Sequence, residues 1–154
     1  MTVKTEEFIN ELKFCIKEND IVKTKALIQF FPELDEKSKV KVLYEINKAE
    51  DNIAYPSLVH LLKFEINETV VQKRIHSLLI DKFFNHGELI NDYIKDPEVK
   101  NKAILIKVAG ELPISEAVTA LNAILVNETN VGVLTAAIRA LATIGSTSTI
   151  RTIA

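Results

Sequence analysis

Apolar residues recur along this chain at the spacing of a helix face. Phe8, Ile9, Leu12, Cys15 and Ile16 fall at i, i+1, i+4, i+7 and i+8, which predicts a helix from about Thr5 to Glu18 with Glu7, Glu11 and Lys17 on its opposite side. Asp20 can accept the free N–H groups of a second helix that buries Ile21, Leu27, Ile28 and Phe31 and stops near Pro32. Asp35 opens a third helix through Val40, Leu43 and Ile46 to about Ala49. A fourth turns Ala54, Leu58, Leu61 and Leu62 inward, with Pro56 in its first turn, where a missing N–H costs least. Val71, Ile75, Leu78, Leu79 and Phe83 stripe a helix from Thr69 to Phe84, and a short helix from about Gly87 to Lys95 completes that pair.

Further along, Asp96-Pro97-Glu98 combines a capping carboxylate, a proline suited to the first helical position and an acid facing the positive helix end, so a helix to Leu112 is expected. Ser115 should cap a partner carrying Ala117, Val118, Leu121, Ile124 and Leu125. Asn130 should cap a helix through Ile138 and Leu141 to Ile144, ended by Gly145, with another starting at Ser146 or Thr147.

These elements repeat. Val99, Leu112, Ala117 and Val118 return after 32 residues as Val131, Ile144, Thr149 and Ile150, three of the four pairs staying apolar. Leu112 and Val118 match Phe84 and Ile90 at a shift of 28, and Leu121, Ile124 and Leu125 match Leu58, Leu61 and Leu62 at 63. A unit of two amphipathic helices recurring at this period marks a solenoid, each pair burying its apolar face on its neighbours. Asp96-Pro97-Glu98-Val99-Lys100, Val108-Ala109-Gly110-Glu111-Leu112 and Ser115-Glu116-Ala117-Val118 resemble a HEAT-repeat unit, and Asp51 to Leu58 keeps the second-helix pattern. The family's early basic residue is matched by Lys100, whereas Gly132 stands at the equivalent place of the next unit. The resemblance implies an all-α fold, a right-handed α-α superhelix of about four to five antiparallel helix pairs. The chain is then a single repeat domain, 1–154, with units of about 5–32, 35–64, 69–95, 96–127 and a truncated 130–154. The layout also resembles bacterial HEAT-repeat proteins found beside signalling receiver domains, which implies a regulatory module within a longer signalling protein.

Composition narrows the function. The chain has 154 residues, 47% of them hydrophobic and 26% charged, which suits a globular domain, and only four Gly and four Pro, which disfavours a fold of many short strands. A formal charge of −2 gives no pull toward nucleic acid or acidic lipid, and no apolar run approaches the roughly 20 residues of a membrane-spanning helix. The single cysteine and a polar, acidic N-terminus indicate the cytoplasm. Asn67-Glu68-Thr69 and Asn127-Glu128-Thr129 match the glycosylation pattern but are read as coincidental.

Nothing in the sequence assembles a catalytic centre. His60, His76 and His86 lack the i, i+4 spacing with an acid between them that makes a helical zinc site, and His76 aligns with Ile104, as a structural histidine would. His86 and Glu88 meet at a turn, where a helix end by itself favours His. Cys15 lies on an apolar stripe and the isolated glycines form no phosphate loop. Lys37, Lys39, Lys41 and Lys48 are interleaved with Glu36 and Glu45 and read as a solvated face. The expected activity is therefore a protein-protein interaction scaffold without cofactor or metal, a HEAT-like enzyme or nucleic-acid-binding repeat protein being the alternative. The outward residues of the second helices, Ser57, His60 and Lys63, then Asn91, Asp92 and Lys95, then Thr119 and Asn122, form the expected groove for a protein partner. After Glu128 only Arg139 and Arg151 are charged, so the uncapped C-terminal end at Ile150-Arg151-Thr152-Ile153-Ala154 is expected to continue in a longer chain or to self-associate.

Overall fold

A computed structural model describes the backbone of residues 3–153 and the side chains of 5–145. All regular structure among the described residues is helical. It forms two compact units, Met1–Leu78 and Leu79–Ala154.

The first unit contains α1 (Val3–Lys17), α2 (Ile21–Ile28), α3 (Glu36–Lys48) and α4 (Asp51–Leu61). Its connections follow from named side chains. Asn19 takes a positive φ of 55°, and the amides of Asn19 and Asp20 return to the carbonyls of Ile16 and Cys15, which ends α1 in the paired-bond manner of a left-handed cap. Asp20 then caps α2 by accepting from the Lys23 amide at 3.1 Å, and Asp35 caps α3 by accepting from the Ser38 amide at 2.7 Å. Both caps stand where the sequence puts them. Phe31-Pro32-Glu33 forms a 3-10 turn between the two hairpins.

Packing in this unit runs in two layers: α1 lies against α3, α2 against α4, and each hairpin closes α1 on α2 and α3 on α4. Leu12, Ile28, Phe31, Leu43, Ile46, Ile53, Leu58, Leu61 and Leu62 fill the space between. At roughly 1.5–3 kcal/mol for each side chain of this size, that burial is what holds short helices which would be marginal in isolation. Pro56 departs from expectation. The helix begins at Asp51, so Pro56 falls in its second turn, with no N–H to give to the Asn52 carbonyl.

The helix α5 (Thr69–Phe83) spans the division, burying Val71, Ile75, Leu78, Leu79 and Phe83 as its stripe predicts. The second unit continues with α6 (Ile90–Lys95), α7 (Lys102–Glu111), α8 (Val118–Asn127) and α9 (Val131–Ile153), α6 and α8 each preceded by a 3-10 turn. Here α6 lies against α7 and α8, and α9 against α7 and α8. One close approach between helices is set by a glycine. A Cβ on Gly110 of α7 would stand 2.9 Å from the Ala140 Cα of α9, so the two backbones meet at a point where no side chain fits.

Three expectations fail in this unit. Asp96-Pro97-Glu98 does not start a helix: Asp96 accepts from the Glu98 amide two residues on, the Val99 amide returns to the Asp96 carbonyl, and α7 begins only at Lys102. Asp at the first and Pro at the second position of a β-turn satisfy the same preferences as a helix start, and the turn tucks Val99 into the core. Ser115 makes no capping hydrogen bond; it opens the 3-10 turn Ser115–Ala117, behind Ile114. Gly145 does not end a helix. It lies within α9 without the positive φ of a glycine cap, and α9 runs on to Ile153, whereas Asn130 caps its start as expected through the Val133 amide.

The repeat, at its shifts of 63, 32 and 28 residues, is matched unevenly by burial. Leu58 and Leu121 are both buried, as are Leu61 and Ile124, but Leu62 is buried while Leu125 is exposed, and Val99 is buried while Val131 is exposed. Phe84, the counterpart of half-buried Leu112, is also exposed. The expected association surface at Ile150 to Ala154 lies outside the residues whose side chains are described.

Candidate functional site

The expected groove divides between the two units. In the first, α4 carries Ser57, His60 and Lys63 near or just beyond its end. Ser57 is not outward: it is fully buried, and its hydroxyl finds no hydrogen-bond partner among the described residues. The reason lies in α4 as a whole, in which Ile53, Ala54, Tyr55, Leu58, Val59 and Leu61 are also buried, so no single face can be taken as inward. His60 and Lys63 are half-buried. The His60 Nε2–H donates to Gln29 Oε1 at 2.8 Å, joining α4 to the end of α2, and the His60 ring meets Phe64 edge to face at 5.6 Å between centroids.

In the second unit, α6 and α8 lie side by side and bring the remaining five positions onto neighbouring helices. Asp92, Lys95, Thr119 and Asn122 are exposed, as expected. Asn91 is half-buried, with its Oδ1 buried and unmatched by a donor among the described residues.

The sequence reading overlooked exposed apolar side chains. On α2, Val22 is 74% exposed, and Phe30, just past the helix end, is 53% exposed. Ala26 between them is exposed too, so the three fall at i, i+4 and i+8 along one side, away from buried Thr24 and Ile28. Lys23 and Lys25 are exposed on the same helix. The signal was present as apolar residues left over after the inward set had been assigned. In the second unit Val126 and Val131 are likewise exposed, and so are Leu125 and Ile138, which the apolar spacing puts on the inward stripes of α8 and α9.

An open depression with a cavity volume of about 550 Å³ is lined by Phe14, Cys15, Glu18, Asn19, Asp20, Ile21 and Lys23, where α1 turns into α2. Cys15 is nearly closed off. Burial first, and then the Glu11 carboxylate 3.9 Å away, push its thiol up, which disfavours the thiolate a nucleophile requires.

The lysine strip on α3 is not uniformly solvated. Lys37, Lys41 and Lys48 are exposed, but Lys39 is buried, its ammonium paired with the Glu68 carboxylate and lying 5.7 Å from the Phe31 ring centroid. That hydrogen bond holds the Glu68 carboxyl below the usual range. The pairing crosses 29 residues of chain, a separation that no local spacing rule detects. Lys48 reaches Glu45 at 3.4 Å and lies over the Tyr44 ring at 4.5 Å.

His76 is half-buried, and exposed His86 approaches Glu88 at 3.5 Å. Among the described residues no group of three or more His, Cys, Asp or Glu is arranged to hold a metal ion, and no helix is long and apolar enough to cross a membrane. Compared with protein-family models, curated proteins and solved structures, the chain finds no match.

Proposed function

We propose that this chain is a non-enzymatic protein-interaction scaffold of the HEAT-repeat kind, its helix pairs stacked as a right-handed α-α superhelix. The observation that carries this reading is the order of packing inside each unit. Alternate helices lie side by side, α1 with α3 and α2 with α4, then α6 with α8 and α7 with α9, as consecutive helix pairs stacked in sequence order require. Within each unit the second helices lie side by side, α2 with α4 and α6 with α8, and each pair offers a partner its face. His60, Lys63, Asn91, Asp92, Lys95, Thr119 and Asn122 are retained as contact residues; Ser57 is withdrawn because it is buried. With one unpaired cysteine the protein suits the cytosol, and a regulatory role beside signalling domains follows from the resemblance described above.

The test is selection of helical peptides from a displayed library on the purified protein, followed by amide hydrogen exchange to map where they bind. Protection concentrated on α2, α4, α6 or α8 is expected. Protection confined to α1, α3 and α7, or a library that yields no binder, would overturn the reading.

A further inference from the structure

We infer that the outer side of α2 docks an acidic amphipathic helix of a partner protein; this rests on the scaffold reading and names the chemistry of one partner. Val22, Ala26 and Phe30 form an exposed apolar line about two turns long, the footprint that one face of a short amphipathic helix covers. Exposed aliphatic and aromatic groups scattered singly need no explanation, but two on α2 and a third just past its end, following one another along the same side, form a patch.

The charges around this line select the partner. Lys23 and Lys25 stand on α2 beside it, and no acid occurs from Ile21 to Pro32; on α4, which packs beside α2, the one acid is its first residue, Asp51, and none follows as far as Phe64. The nearest acids in sequence, Glu18, Asp20 and Glu33, lie beyond the two ends of the line, Asp20 at the cap of α2. A chain with a net charge of −2 thus presents a locally cationic apolar strip. An apolar face edged with Glu or Asp meets both features at once, whereas a basic helix is repelled. The edge-to-face His60–Phe64 pair and the His60–Gln29 bond keep the neighbouring side chains fixed, so little order has to be created on binding.

The probe is a fluorescein-labelled peptide of about 18 residues, long enough for a stable helical turn pattern, with leucines at i, i+3, i+4 and i+7 and glutamates on both flanks. A second peptide replaces every glutamate by lysine, and vesicles of phosphatidylserine and phosphatidylcholine offer an anionic surface without a helix. By fluorescence anisotropy the acidic peptide is expected to bind at least about tenfold tighter than the basic one, weakening as salt rises. Val22→Glu with Phe30→Glu should abolish binding, and Lys23→Glu with Lys25→Glu should reverse the preference between peptides. All four positions are exposed, and circular dichroism melts verify that the variants fold. If a variant does not fold, hydrogen exchange of the wild-type protein decides, with protection of α2 expected under the acidic peptide. Equal binding of the two peptides, binding kept by the Val22→Glu, Phe30→Glu protein, vesicle binding without peptide binding, or a footprint off α2 would each overturn the inference. Library peptides that protect α6 and α8 while α2 stays unprotected would leave the scaffold standing and remove only this partner. No binder anywhere would remove both.

Discussion

The two units reach the same kind of packing by different means. In Met1–Leu78 the joints are made by side chains: Asp20 and Asp35 cap the helices that follow them, Asn19 takes the left-handed conformation between α1 and α2, and the Lys39–Glu68 and His60–Gln29 contacts tie segments about thirty residues apart. In Leu79–Ala154 the joints are made mostly by backbone. α6 and α8 are entered through 3-10 turns without side-chain caps, and α7 meets α9 where Gly110 lets the Ala140 backbone approach. A polar tie tolerates adjustment, because a long side chain can move with its partner. A backbone contact does not, because there is nothing between the helices to yield.

That contrast can be broken most sharply at Gly110. Gly110→Leu should cost about 3 kcal/mol or more by overpacking, and Gly110→Ala about 1–2 after roughly 1 kcal/mol of improved helix propensity is set against it. Urea unfolding gives the total, and hydrogen exchange should localise the loss to α7 and α9. A neutral or stabilising Gly110→Ala would mean that the helices separate without penalty and that the distinction between units is wrong.

A smaller effect is expected at the polar tie of the first unit. Lys39→Met keeps the apolar stem against Phe31 and removes the charge, at an expected cost of about 1–2 kcal/mol, because the Glu68 side chain is 28% exposed and water recovers part of its partner's role. The pH dependence fixes the sign. Glu68 has its carboxyl lowered in the folded state, so its contribution is complete above the ordinary glutamate range and is lost as pH falls through the lowered value. The stability gap between the native protein and Glu68→Gln should therefore be constant near neutrality and close in acid. A gap that widened as pH fell would contradict the pairing.

The caps come next. Asp35→Ala and Asp20→Ala should each cost about 1 kcal/mol in the first unit, and Asn130→Ala a similar amount as the one comparable side-chain cap of α9. Ser115→Ala is the smallest expected change, within about 0.5 kcal/mol, since its hydroxyl caps nothing. Equal losses at Ser115 and Asp35 would erase the difference between capped and uncapped entries.

Which residues of the candidate surface could be read from sequence depended on how each helix is covered. Asp92, Lys95, Thr119 and Asn122 were placed correctly as exposed because α6 and α8 keep an open polar side. Ser57 was misplaced because α4 is covered almost all round, and a periodicity argument assumes one wet face. Val22 and Phe30 were overlooked for the opposite reason, being apolar residues that the fold leaves outside.

By itself the sequence determined the helical periodicity, the start of α2, α3 and α9 at Asp20, Asp35 and Asn130, and most of the core stripe, because these depend on residues within a turn or two of each other. Tertiary structure alone decided that Asp96-Pro97 makes a turn, that α9 continues through Gly145, that Lys39 is buried on Glu68 and that Gly110 seats Ala140. Each of these is a choice between local conformations of nearly equal free energy, or a contact between distant residues, and the balance is set by what the rest of the fold places alongside.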